Sequence, residues 1–232
     1  MRIVCLQHVD HETPGAIADW AASRAHSLET VAPLFERYPA VDAFDLLAVL
    51  GGPMGAYEGT AYPWLGHEKR FVRETIDAGR LVLGVCLGAQ LVAEAIGGSV
   101  RPSAVREVGW FPARLTSVGR ASVALSVLPD EFVAGLWHGD TFDLPPGVES
   151  AAVTDGCPNQ AFECLEGRVV GIQFHLEWTT RALGELARTH RDWFEAGGPF
   201  VQTESEFLSP GDALASGRSL LFDLLDRMEA AR

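Results

Sequence analysis

The sequence predicts an α/β protein built on a doubly wound, mostly parallel sheet, and three observations predict it. Apolar runs at 3–7, 45–50 and 81–85 read as strands buried on both faces. They alternate with stretches of helical pattern at 14–25, 64–78 and 89–96. Two of the strands end in glycine-rich loops, Gly51-Gly52-Pro53-Met54-Gly55 and Gly84-Val85-Cys86-Leu87-Gly88. Such loops at the carboxyl edge of a sheet are where α/β proteins place their sites.

Composition sets outer bounds. The 232 residues suffice for one large α/β domain or two small ones, and 47% hydrophobic with 21% charged residues is a globular balance. The net charge of −13 argues against nucleic acid or an anionic membrane surface as partner. The apolar run after Met1 is too short for a signal peptide, and no stretch approaches a membrane span. Cys5, Cys86, Cys157 and Cys164 form no C-x-x-C pair, so reduced thiols in a cytoplasm are expected, with no metal site and no cofactor.

Taken in order, 3–7 is the first strand, and Pro14-Gly15 opens a helix through Ala25. The strand at 45–50 runs into its glycine loop, and 64–78 is helical. Leu81 to Val85 is a strand ended by the Cys86 turn, and the helix after it stops at Gly97-Gly98. Beyond Gly98 the texture becomes a small β-rich extension, with strands expected at 110–116, 122–128, 132–137, 148–154, 159–165 and 169–175. Glu166-Gly167 is the expected hairpin turn. A helix is expected at 179–195, a loop at 197–217 and an amphipathic helix at 219–231. No repeat or composition shift divides the chain, so one domain is expected over 1–232, its core at about 1–195, with 196–232 a loop and C-terminal helix.

The chemistry points to Cys86. Glycines two before and two after a nucleophile let the chain turn sharply from strand to helix and present the side chain at the sheet edge. The positive end of the following helix favours a thiolate there. The plainer alternative is a buried cysteine in a glycine-rich turn. A cysteine nucleophile needs a base, and the base a group to orient it. His175 and Glu177 stand two apart at the end of a β-run and so share a face, although each alone also reads as a strand-end histidine and a helix-start charge. An oxyanion needs two donors. The Leu87 N–H is one by position, and Gly52 is the better second because Pro53 has no N–H. Trp137-His138-Gly139-Asp140 offers polar groups and open backbone at a strand end. His8, His11, His26, His67 and His190 have no ligand array around them and read as structural or solvent-facing.

These residues resemble the class I glutamine amidotransferases. Gly84 to Gln90 is similar to that family's nucleophile motif, Gly51-Gly52-Pro53 to its oxyanion strand, and Gly171 to Glu177 to its G-x-Q-F-H-x-E segment. The resemblance spans about 1–193 and is nearest to the glutaminase half of GMP synthetase and its free-standing relatives, which Pro63-Trp64-Leu65, Glu107 to Trp110, His138-Gly139-Asp140 and Asn159 to Phe162 also resemble. It implies a flavodoxin-like fold and a Cys86–His175–Glu177 triad acting on the γ-amide of glutamine or a γ-glutamyl compound. Gly52 and Leu87 would hold the oxyanion. Gln90, His138, Gly139 and Asp140 would line the substrate pocket. Leu176 stands where the family usually has proline, which implies an adjusted backbone with retained chemistry. Trp137 stands where a small polar residue is common, which implies a reshaped pocket.

No S-G-G-x-D-S pyrophosphatase loop and no G-x-x-x-x-G-K-[ST] occurs, so ATP-driven activation of an acceptor is not expected of this chain. Three functions follow as alternatives: a self-sufficient γ-glutamyl hydrolase, a glutaminase passing ammonia to a synthase in trans, or a catalytically silent binding domain.

Overall fold

The computed structural model describes residues 1–33 and 37–232. In chain order the elements are β1 (Arg2–Leu6), α1 (Ala16–Ser23), β2 (Ser27–Val31), β3 (Leu46–Val49), α2 (Trp64–Asp77), β4 (Leu81–Val85), α3 (Leu87–Ala95), β5 (Ser99–Leu115) and α4 (Ser117–Ala121). Then come β6 (Glu131–Asp143), β7 (Ala152–Val153), β8 (Ala161–Cys164), β9 (Val169–Ile172), α5 (Thr180–Thr189), α6 (Arg191–Ala196), α7 (Glu204–Phe207) and α8 (Ala213–Ala230).

Among the described residues the nine strands form one sheet in the order β2-β1-β3-β4-β9-β8-β7-β5-β6. The first five are parallel and the rest join antiparallel, so the β-rich extension continues the main sheet. Side chains alternate along the parallel strands as a two-residue period requires. Ile3, Cys5, Leu46, Ala48, Leu81, Leu83 and Ile172 pack with α1 and α8 on one face. Val4, Leu6, Leu47, Val49 and Val82 pack with α2 and α3 on the other. This is the doubly wound core that the apolar runs predict. A third cluster, with Trp137, Trp178, Leu186 and Phe207, joins α5 and α7 to the strands beside the carboxyl edge.

The extension curls back on the core. The His175 N–H, just past β9, donates to the Gly135 carbonyl of β6 at 2.8 Å, so the far edge of the sheet returns to its middle.

Several expectations are corrected. Residues 99–115 are one long strand with an irregularity between Pro102 and Glu107, not a strand beginning at 110. Residues 122–128 hold a turn and a short 3-10 helix instead of a strand, because the Glu163 carboxylate gathers the Ser122 hydroxyl and the Val123 and Ala124 N–H groups. β7 has two residues only. The helix at 179–195 breaks at His190, and the expected loop at 197–217 contains α7 and the start of α8. Among the described residues no helix is long and apolar enough to cross a membrane.

Candidate active site

The strand-to-helix turn at Cys86 is tight because both glycines are pressed against backbone. A methyl group on Gly84 would collide with the Gly88 peptide, and one on Gly88 with the Val49 carbonyl of β3. Cys86 itself takes φ 54° and ψ −110°. That conformation is rare for a residue with a side chain and costs on the order of 1–3 kcal/mol, held by the packing around it. It presents the thiol at the bottom of a cavity of about 660 Å³. The Cys86 Sγ–H donates to the Trp137 carbonyl at 3.7 Å.

His175 and Glu177 lie side by side as their spacing predicts, with Nδ1 2.6 Å from the Glu177 carboxylate. Between them Leu176 is buried in the core cluster that also holds Leu221 and Leu224 of α8. The His175–Glu177 pair is thus made with leucine standing between its members. The imidazole stacks on Trp178 at 4.2 Å and 13°. Burial alone would lower its pKa. The charge of Glu177 and hydrogen bonds to Cys86 and Glu177 outweigh burial and raise it well above the ordinary value. Burial raises the Cys5 and Cys157 thiols and pushes Cys164 up to about 11.

Facing the thiol is the Gly51-Gly52 loop. A methyl group on Gly51 would lie 3.4 Å from His175 Cε1 and 3.6 Å from Cys86 Cβ, and would touch the Glu12 carboxylate. Gly52 and Leu87 line the cavity. Among the described residues neither the Gly52 nor the Leu87 amide donates within the chain.

Gln90, His138, Gly139 and Asp140 also line it. Gln90 is buried and donates to Gln173 at 3.1 Å. Both His138 nitrogens are engaged, one by Glu107 at 2.9 Å and one by the Asp140 carbonyl at 2.9 Å. The ring therefore shapes the 138–140 backbone and has no free nitrogen for a ligand. Asp140 accepts from the Tyr57 hydroxyl at 3.2 Å across the mouth, and burial raises its carboxyl. Trp137 lines the cavity, stacking on Trp193 at 5.7 Å with Phe207 of α7 at its edge.

Several lining residues escape sequence reasoning: Glu12, Tyr57, Arg106, His190 and Trp193. They come from loops, from the irregular stretch of β5 and from the break into α6, where no motif spacing marks them. Burial raises the Glu12 carboxyl against the pull of His175, and Arg106 lies over the Trp193 ring at 4.9 Å. His190 belongs to the cavity wall and is not merely solvent-facing, and burial lowers its pKa. Among the described residues no group of His, Cys, Asp and Glu could hold a metal ion.

A thiol at a helix start, touching an imidazole that is paired to a carboxylate, is equipped to attack a carbonyl carbon and pass a proton.

Known proteins resemble this chain over most of its length. The sequence pattern described as "Glutamine amidotransferase class-I" matches residues 18–188. A glutamine amidotransferase-like protein of Salmonella typhimurium, YfeJ, is 30% identical over 89% of each chain. A "GMP synthase [glutamine-hydrolyzing]" of Syntrophomonas wolfei is 44% identical over 41% of this chain, which corresponds to 18% of that enzyme's length. The crystal structure of a glutamine amidotransferase from Thermotoga maritima superposes with a TM-score of 0.86 at 28% identity, over 98% of this chain and 97% of that one. The fold, the elbow and the matched sequence together make this chain a member of the class I glutamine amidotransferase family.

Proposed function

We propose that the protein is a cysteine hydrolase that cleaves the γ-amide of glutamine or of a γ-glutamyl compound through a thioester at Cys86. The observation that carries the reading is the unbroken series of contacts from the Cys86 thiol through His175 to Glu177 at the cavity floor. The thiolate attacks the amide carbon, and the electron pair moves onto oxygen beside the Gly52 and Leu87 N–H groups. His175, held protonated by Glu177, gives its proton to the departing nitrogen, and ammonia or an amine leaves. Water then attacks the thioester while His175 takes its proton, releasing glutamate and restoring the thiolate. Gln90, the Gly139 backbone, Asp140 and the wall shaped by His138 receive the amino-acid end of the substrate.

A second reading is supported by the likeness to a glutamine-hydrolysing GMP synthase: a glutaminase that delivers ammonia to a synthase.

Glutamate release from glutamine and from a panel of γ-glutamyl peptides and amines tests both, with Cys86→Ala as control. Fast Cys86-dependent release from a conjugate supports the hydrolase. Slow release from glutamine alone, raised by an added synthase, supports the second reading. Silence on every substrate, with a Cys86 that a glutamine-like electrophile does not label, leaves a binding domain.

A further inference from the structure

Behind the glycine loop lies a buried pair that the mechanism above does not use. His8, two residues past β1, and Glu68, on α2, both have fully buried side chains and meet at 3.0 Å. The other ring nitrogen of His8, Nδ1, lies 2.8 Å from the Gly51 carbonyl. Trp64 stacks against the ring at 5.7 Å. The Gly51 carbonyl can only accept, so Nδ1 carries a hydrogen and donates to it, while Nε2 shares a proton with the Glu68 carboxylate. Burial opposes a charge on the ring, but Glu68 and the Gly51 carbonyl outweigh it and raise the His8 pKa.

The Gly51 carbonyl and the Gly52 N–H belong to one planar peptide and point in opposite directions. A peptide whose oxygen is drawn back to His8 aims its N–H forward, and forward is the cavity that Gly52 lines. The loop lacks side chains of its own to fix that plane. We propose that the His8–Glu68 pair is the positioning device that points the Gly52 N–H at the developing oxyanion. This rests on the oxyanion role given to Gly52 above. His8 acts through Gly51 and touches no reacting atom.

The test separates two reactions of the same thiol. Alkylation of Cys86 by iodoacetamide forms no oxyanion, whereas acylation by p-nitrophenyl acetate does. His8→Leu removes the donor to Gly51, and we expect acylation to fall by about 10²-fold, the scale of losing one oxyanion donor. Alkylation should stay within about twofold of the wild type, which also shows the fold to be intact. His8→Asn keeps an N–H where Nδ1 was, and should recover most of the acylation rate. Glu68→Gln keeps the volume, and is expected to lower acylation by about tenfold should His8→Leu fail to fold. Acylation and alkylation falling together in both His8→Asn and Glu68→Gln would overturn the proposal. So would acylation left unchanged by His8→Leu. A wild type that p-nitrophenyl acetate acylates, but that releases glutamate from no γ-glutamyl substrate, would sink the proposed function and leave this inference standing.

Discussion

At Cys86 the backbone holds φ 54°, and the glycines on either side make that possible by yielding their Cβ space to backbone. Two substitutions in this one turn should therefore behave oppositely. Gly88→Ala drives a methyl group into the Val49 carbonyl and should cost several kcal/mol, seen as a lowered unfolding midpoint in urea. Cys86→Ala adds nothing to the turn and should leave the midpoint within about 1 kcal/mol while abolishing glutamate release. Glu177→Gln keeps the shape beside His175 and loses the charge. It should cut kcat by about 10⁴-fold, as expected when the group fixing a catalytic imidazole's tautomer is neutralised, and the His175 titration followed by NMR should move down in pH. The elbow, the glycine loop and the His175–Glu177 pair were legible because each depends on local spacing. His8 and Glu68 were not, since they stand sixty positions apart and neither sits in a pattern that announces a partner.

At the scale of elements, β6 and α7 hold the site from the antiparallel side. Trp178 stacks on His175, and a methyl group on Gly135 would press into the Trp178 ring. Gly135→Ala should shift the tryptophan fluorescence and lower kcat with little effect on the secondary structure seen by circular dichroism. α7 begins with a capping box in which Thr203 and Glu206 exchange hydrogen bonds. It ends on Phe207, which is fully buried against Trp110, Trp137 and Trp178. Thr203→Ala should cost about 1 kcal/mol and Phe207→Ala about 3–5 kcal/mol in a denaturant titration. The sequence showed little of this. The burial pattern of β2 mixes exposed and half-buried positions, so its edge strand carries no apolar signal. The break at His190 has neither glycine nor proline to mark it. At 122–128 the apolar residues favour a strand, and a distant carboxylate at Glu163 decides otherwise.

For the whole molecule, pH should act from both sides. His8 and His175 have pKa values raised above the ordinary 6.5, so the folded state holds protons that the unfolded chain releases. Their contribution is complete below pH 6.5 and is lost as pH rises through the folded values. Asp45, Asp143 and Asp226 are held below the ordinary 3.8, Asp45 by the Arg2 N–H and Arg232 against its burial, Asp143 by Arg101 and Asp226 by Arg24. Their contribution is present above that value and is lost on acidification. The melting temperature should therefore be highest in the mildly acidic range and decline toward alkaline pH, and His8→Asn should flatten the alkaline decline.

The curl that joins His175 to Gly135 also has a consequence in time. The Cys86 turn is made by β4 and α3, neighbours in sequence, whereas His175 is fixed only when the β5–β6 hairpin has swung back onto the core. Long-range pairings of that kind are slow to close. During refolding from urea, amide protection at Leu91 should come before protection at His175. A refolding chain should pass through an interval in which its thiol is already seated and its base has yet to arrive.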